Sequence, residues 1–313
     1  MLTISAEDTI RALPFDALID ALRTGFRNGA HTPQRHHHVV DAGSDASVLL
    51  MPSWTDGEYL GVKLVNVFPG NSSLGRPALS SAFVLASATT GEHLAVVDGN
   101  TLTQRRTVAT SALAATYLAR KDSKVHVVVG AGHVGSLAAD AYRSAFDIRK
   151  VIVHDHVPAH AQRLVDSLRE QGVDADVATD LRDAVAAADI VTCATLATEP
   201  LIRGDWLRKG THLDLIGSFR PTMREADDEC LRRGTVYIDT WAALEESGDL
   251  IQPIDAGVLD RNAIAGTLPG LCRGDIAARR DRDQITVFKS VGSGLADLAA
   301  AALAYHSTRN PAP

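Results

Sequence analysis

The stretch Val125-His126-Val127-Val128-Val129-Gly130-Ala131-Gly132-His133-Val134-Gly135 decides the fold. A valine-rich run, the composition of a buried strand, passes directly into Gly-x-Gly-x-x-Gly, and residues 136–143 continue with helical spacing. Gly130 permits the tight turn after the strand, Gly132 lets backbone amides reach a pyrophosphate, and Gly135 lets the helix close on the strand. The positive end of the helix dipole then faces the phosphates. About twenty residues beyond Gly135, Val151-Ile152-Val153-His154-Asp155 ends a second strand on an acid, where a ribose-binding carboxylate is expected. The stretch therefore predicts a doubly wound α/β domain that binds a dinucleotide. Asp155 can accept from ribose hydroxyls and would repel a 2′-phosphate, which favours NAD(H). His154, His156 and Arg163 could approach such a phosphate, and they keep NADP(H) open.

Outward from this turn, strand-like runs at 125–129, 151–153, 190–193, 213–216 and 236–238 alternate with helical stretches. That alternation implies βαβ crossovers and a parallel sheet. A run at 285–288 and a helix at 294–305 could either close this sheet or return to the first half of the chain. Before residue 121 the pattern is different. Strand-like runs at 47–51, 59–67 and 82–86 are separated by turn residues such as Phe68-Pro69-Gly70-Asn71, so this half reads as mostly β after a helix at 15–27. Residues 103–119, rich in Ala and Leu with Thr103 placed as a cap, predict a long helix leading into the second domain.

Composition sets the outer limits. At 313 residues, 45% hydrophobic and 22% charged, the chain is too long for one small core, and two domains are expected. With 31 Lys and Arg against 38 Asp and Glu, the formal charge of −7 provides no basic field for nucleic acid. The apolar runs at 125–131 and 295–304 fall short of the roughly 20 residues needed to cross a bilayer. Glu7 and Asp8 stand where a secretory signal would carry lysines, so a cytoplasmic protein is expected. Cys193, Cys230 and Cys272 have neither CxxC spacing nor a nearby His pair and read as buried thiols. His36-His37-His38 has no identifiable Asp, Glu or Cys partner, and consecutive residues on an extended chain face opposite ways, so no metal is expected. One of these histidines is expected to line the site beside Arg35.

A dinucleotide domain needs a partner that positions the substrate. Arg35, Lys63 and the pair Arg105-Arg106 are the candidate cations. In Gly61-Val62-Lys63-Leu64-Val65-Asn66-Val67, alternation puts Lys63 on the same face as Val65 and Val67, and a lysine on a half-buried strand usually has an anionic partner. Arg106 opens the apolar run 107–118, near the positive end of a helix, where a cation is unfavourable unless an anion is close.

Taken together, these residues carry a resemblance. Lys63-Leu64-Val65-Asn66-Val67-Phe68-Pro69-Gly70-Asn71, Thr90-Gly91-Glu92, Asp98-Gly99-Asn100, Leu102-Thr103 and Arg105-Arg106-Thr107 are similar to the ornithine cyclodeaminase/mu-crystallin family. So are Gly130-Ala131-Gly132, Thr195-Leu196-Ala197-Thr198-Glu199-Pro200, Gly217-Ser218-Phe219-Arg220-Pro221 with Arg224-Glu225, and Phe288-Lys289-Ser290-Val291-Gly292. The resemblance implies a homodimer with a mostly β substrate-binding and dimerisation domain at 1–120, which the C-terminal helix at about 292–313 rejoins, and a Rossmann domain at 121–291. It also implies that Arg35, Lys63 and Arg106 bind a substrate carboxylate. Arg106, Thr107, Gly130, Gly132, His133, Val134, Gly135, Asp155, Thr195 and Ser218 match cofactor positions, and Ser290 and Val291 match residues near the nicotinamide, Val291 on the substrate side.

One departure decides between activities. Cyclodeaminases of this family carry an aspartate in the loop that here reads Gly217-Ser218-Phe219-Arg220-Pro221-Thr222-Met223-Arg224-Glu225, with no carboxylate before Glu225. The loop instead resembles the Δ1-pyrroline-2-carboxylate (cyclic ketimine) reductase branch. Reduction of an imine needs a proton on nitrogen, which can enter already protonated or take it from Lys63 or a water held by Ser218, but no strong base. Oxidising a charged amine does need one. The expected activity is therefore reduction of Δ1-pyrroline-2-carboxylate to proline, with the six-membered Δ1-piperideine-2-carboxylate, which would give pipecolate, as a second candidate substrate. An ornithine cyclodeaminase or alanine dehydrogenase, with Asp297 or Glu225 as the acid, is the alternative, and a non-catalytic NADPH-binding protein is a third.

Overall fold

A computed structural model describes residues 1–310 apart from Ala42 and Ser44, with the backbone alone at Ser72. The chain divides into two compact units, Met1–Arg106 together with the segment from Ser293, and Thr107–Gly292. The division falls inside the helix Gly99–Leu118 rather than after it. Early side chains of this helix, Arg105 and Arg106, bond Leu13 and Asp297 of the first unit, whereas Ser111 bonds Asp214 of the second. The helix also starts earlier than expected. Asp98 accepts from Thr101 N at 2.8 Å in its first turn, so Thr103 lies within the helix and is not its cap.

The first unit is built on a six-stranded sheet of β1 (Leu2–Ile4), β2 (His36–Asp41), β3 (Ala46–Trp54), β4 (Tyr59–Val67), β5 (Leu79–Ser87) and β6 (His93–Asp98). Its order is β1-β6-β5-β4-β3-β2, antiparallel except for β1 beside β6. The helix Phe15–Asn28 buries Phe15, Leu18, Ile19, Leu22 and Phe26, the spacing of one helical stripe. It lies against the C-terminal helix Gly294–Arg309, close enough that a Cβ on Gly25 would stand 3.1 Å from the Ala299 methyl.

The second unit is an eight-stranded, all-parallel sheet, in line with the doubly wound expectation. Its strands are β7 (Val125–Val129), β8 (Lys150–His154), β9 (Ala175–Val177), β10 (Ile190–Cys193), β11 (His212–Leu215), β12 (Gly234–Ile238), β13 (Gly266–Thr267) and β14 (Ile285–Lys289). The order β13-β12-β14-β11-β10-β7-β8-β9 reverses direction between β7 and β10, the crevice where such folds hold a ligand. The last strand thus closes this sheet while the helix after it belongs to the first unit. All three cysteines are buried and free. Among the described residues, no helix is long and apolar enough to cross a membrane.

The second unit also buries a polar layer. Asp214 accepts from Ser111 Oγ and Tyr142 OH, both at 2.9 Å, and burial pushes its carboxyl up to about 7 against those bonds. An unfolded aspartate titrates near 4, so the folded chain keeps a proton that the unfolded chain releases in between. This contribution is complete at acid pH and declines as pH rises through about 7. His126 and His212, held near 3 by burial, act in the opposite sense and only below their unfolded value of about 6.5. Thermal melts of Asp214→Asn, which keeps an acceptor oxygen, are therefore expected to gain on the wild type as pH rises from about 4 to about 7 and to hold a constant difference above that. An unaltered slope would assign that titration to another group.

Candidate functional site

In the second unit, Gly130 ends β7 with φ of +96°, and a Cβ there would stand 2.6 Å from Ala194 O. At Gly135 a Cβ would stand 1.8 Å from Gly130 O, so helix and strand meet there with no room for a side chain. Gly132 differs, because no heavy atom lies within 4 Å of where its Cβ would be. The fold itself demands two of the three glycines. The third leaves an open cradle that a Cβ would fill, and this suits the backbone approach of a pyrophosphate. Gly135→Ala is accordingly expected to cost about 3 kcal/mol of stability through overpacking. Gly132→Ala should keep the wild-type Tm and raise the Kd for NADH about tenfold or more, roughly 1.4 kcal/mol. Unaltered NADH binding in Gly132→Ala would refute the cradle.

Asp155 follows β8, as expected for the ribose acid. Its Oδ2 accepts from Ala131 N at 2.7 Å and its Oδ1 from Val157 N at 2.8 Å. Burial alone would push its carboxyl up, but those amides and the nearby His156 and His160 hold it below the usual range. Asp155 therefore also braces the turn itself. His133 on the turn is exposed and Val134 half-buried.

Thr195 follows β10. Its backbone N and Oγ1 donate to Glu225 Oε1 at 2.7 and 2.9 Å, and Gly217 N donates to Oε2 at 2.7 Å. One fully buried carboxylate thus ties together the loops after β10 and β11. Glu225 N in turn donates to Asp249 Oδ1 at 2.7 Å, and Lys289 Nζ lies 3.3 Å from Asp249 Oδ2. Burial pushes the Glu225 carboxyl up to about 6 against the pull of Lys289. Ser218 requires a correction. It is fully buried, with its hydroxyl 2.8 Å from Met223 O and 2.9 Å from Ser247 Oγ, so it supports its own loop and does not hold a water for proton delivery. Ser290 is buried after β14. Asp239 Oδ2 accepts from Val291 N and Gly292 N at 2.9 and 2.7 Å and so shapes the turn that leaves the sheet.

In the first unit, Lys63 on β4 is 3% exposed, and its Nζ lies 2.7 Å from Asp297 Oδ2. Arg106 Nε donates to Asp297 Oδ1 at 2.8 Å. Burial lowers the Lys63 pKa; Asp297 opposes this, while Arg106 and then Arg35 lower it further. Burial would raise Asp297, but Arg106 and Lys63 together outweigh it and hold the carboxyl low. The two directions agree on one picture, a firmly charged carboxylate beside a lysine that burial makes easier to deprotonate. Arg35, half-buried just before β2, acts on this cluster through its charge.

The position of Arg106 corrects the reasoning from the helix dipole, because the helix begins at Gly99 and Arg106 lies well inside it. The group that draws the cation is Asp297. Arg105 has a different place. Its Nε and Nη2 donate to Leu13 O at 2.9 and 2.7 Å, and its guanidinium lies 4.2 Å from the centre of the Phe15 ring. Thr107 is half-buried on the same helix. His36, His37 and His38 are exposed on the edge strand β2. Among the described residues, no group of three or more His, Cys, Asp or Glu is arranged to hold a metal. Asp297 could have been found by the argument applied to Lys63, since it is a charge within the apolar run 294–305.

A sequence profile of the ornithine cyclodeaminase/mu-crystallin family matches residues 2–311. The Δ1-pyrroline-2-carboxylate reductase of Paracoccus denitrificans (strain Pd 1222) is 37% identical over 94% of this chain and 93% of its own. The solved structure of Thermococcus litoralis Δ1-pyrroline-2-carboxylate reductase in complex with NADH and L-proline superposes with a TM-score of 0.92 at 32% identity, covering 99% of this chain and 98% of that one. An archaeal alanine dehydrogenase dimer with bound NAD reaches 0.91 at 27% identity, over 100% and 97% of the two chains. With a profile match over nearly its whole length and relatives of this similarity, the chain belongs to the ornithine cyclodeaminase/mu-crystallin family.

Proposed function

We propose that this chain is an NAD(H)-dependent reductase that converts Δ1-pyrroline-2-carboxylate to L-proline. The observation that carries the reading over cyclodeamination is the engagement of the two candidate acids. Asp297 is held by Lys63 and Arg106, and Glu225 by Thr195 and Gly217. Neither carboxylate is disposed to strip protons from a substrate amine, and the loop from Gly217 to Arg224 contains no other. The relatives named above support the same choice.

Arg35, Lys63 and Arg106 bind the substrate carboxylate in this reading. Buried charge-assisted bonds of this kind supply rate by fixing the position of the imine carbon. The glycines of the turn and Asp155 hold the dinucleotide, and Thr107, His133, Val134, Thr195, Ser290 and Val291 line it. NADH, when bound, supplies the hydride that C2 receives. The ring nitrogen takes its proton from Lys63, whose ammonium is made more acidic by burial, Arg106 and Arg35. The product is a secondary amine, and Lys63 regains its proton from solvent.

We also assign a homodimer. Support comes from the alanine dehydrogenase dimer and from the exposed apolar Val39 and Leu79, which stand in one cross-strand row of the first sheet. Light scattering at twice 33.2 kDa is the expected result. The activity is tested by NADH absorbance with Δ1-pyrroline-2-carboxylate, beside ornithine plus catalytic NAD with ammonia detection, and pyruvate plus ammonia. Rapid NADH loss with the imine alone is expected. Ammonia release from ornithine without net NADH change would make the chain a cyclodeaminase, and turnover of pyruvate with ammonia would make it an alanine dehydrogenase.

A further inference from the structure

Asp155 does not stand alone at the end of β8. Its side chain is 5% exposed, and its Oδ1 lies 3.2 Å from His156 Nδ1 and 3.5 Å from His160 Nδ1. Both imidazoles reach solvent, His156 almost completely at 89% and His160 at 40%. His160 sits in the first turn of the helix Pro158–Glu170, with Arg163 one turn further on. His160 and Arg163 line one cavity of about 340 Å³ that Ala131 of the glycine turn also lines. The other charged group on that cavity is Asp140, whose carboxylate lies 3.7 Å from Arg143 Nη1. His154 ends β8 and His133 stands exposed on the turn.

An acid at this position rejects a 2′-phosphate by charge repulsion. Here the acid is flanked at ion-pair distance by two imidazoles, and histidine is the side-chain type that answers to pH in the physiological range. With both imidazoles neutral, the carboxylate sets the local charge and suits a 2′-hydroxyl. With both protonated, the cations outnumber the carboxylate and, with Arg163, suit a phosphate.

We propose that His156 and His160 make cofactor choice pH-dependent, so that the adenosine end takes NADH at alkaline pH and accepts NADPH as pH falls. This inference rests on the reading of Gly130–Asp155 as the dinucleotide turn. The sign follows from proton uptake: phosphate binding is favoured by the protonated imidazoles and is lost as they deprotonate. The 2′-phosphate itself gains its second charge near pH 6, which acts the other way and is common to every variant compared.

The test measures kcat/KM for NADPH relative to NADH at pH 6 and pH 8, with Kd values for 2′,5′-ADP and 5′-AMP as probes of the adenosine end without turnover. In the wild type, both the NADPH preference and the 2′,5′-ADP preference should fall about tenfold between the two pH values. In His156→Gln/His160→Gln both should vary less than about twofold and stay on the NADH side. Arg163→Gln should weaken NADPH at both pH values and keep the slope. A wild-type preference that does not vary with pH, or a slope that survives in the double variant, overturns the inference while leaving the turn intact. Failure of the wild type to bind NADH and 5′-AMP at all would overturn the dinucleotide reading beneath it.

Discussion

Lys63→Ala is expected to lower kcat/KM for Δ1-pyrroline-2-carboxylate by about 30- to 4,000-fold, because truncating one partner of a buried, hydrogen-bonded charge pair costs about 2–5 kcal/mol. The effect has two sources. In the proposed site the substrate carboxylate loses a cation held nearly out of water, and Asp297 loses the ion pair at 2.7 Å that fixes its rotamer and, through it, Arg106. Because the carboxylate then stays buried with half its compensation gone, Tm should fall as well. NADH affinity should vary by less than about twofold, since the glycine turn and Asp155 are untouched. Steady-state kinetics beside fluorescence titration of NADH separate the two. Full turnover in Lys63→Ala would remove this lysine from the substrate site. Asp297→Asn offers a second view of the same cluster. With its negative charge gone, Lys63 has only burial and the neighbouring arginines acting on it, and its pKa falls further. With Lys63 as the proposed proton donor, the limb of the kcat/KM profile that follows its protonation should therefore move to lower pH.

Glu225→Ala should be the most damaging substitution in the second unit, at about 3–5 kcal/mol, because it leaves Thr195 N, Thr195 Oγ1 and Gly217 N without their shared acceptor inside a buried network. Glu225→Gln is the sharper probe. The amide preserves shape but turns an NH2 toward a backbone N–H, so one of the two loops must let go. A Tm drop of several degrees together with weaker NADH binding is expected, since the loop that moves carries either Thr195 or Gly217. A variant with lowered Tm and unaltered NADH affinity would confine Glu225 to stability and separate the loops after β10 and β11 from the cofactor.

The dinucleotide turn was legible because everything it needs is contiguous. A strand, the three glycines and a helix succeed one another within residues 125–145, and Asp155 ends the next strand, so local propensity and spacing suffice. Lys63 was legible for a related reason, since alternation along one strand exposes a charge on the wrong face. Ser218 was misread because a motif says which residue stands in a loop and not which way its hydroxyl points; here it points to Met223 O. The helix start was misread because Thr103 is a plausible cap by type, whereas Asp98 does the capping from the preceding strand.

The sequence by itself determined the parallel α/β unit, the mostly β character of the first half, the glycine turn after β7 and the need for buried cations. Each depends on a period or a spacing of a few residues, which local sterics and burial translate directly into structure. Only the tertiary structure decided that Asp297 is the anion Lys63 and Arg106 share, that Glu225 joins two loops, that β14 enters between β11 and β12, and that two histidines flank Asp155. Apart from the two histidines, which follow Asp155 by one and five residues, these partners are brought together by packing rather than by chain proximity. Their pairing is set by which charges burial forces to find one another, and no local pattern records that outcome.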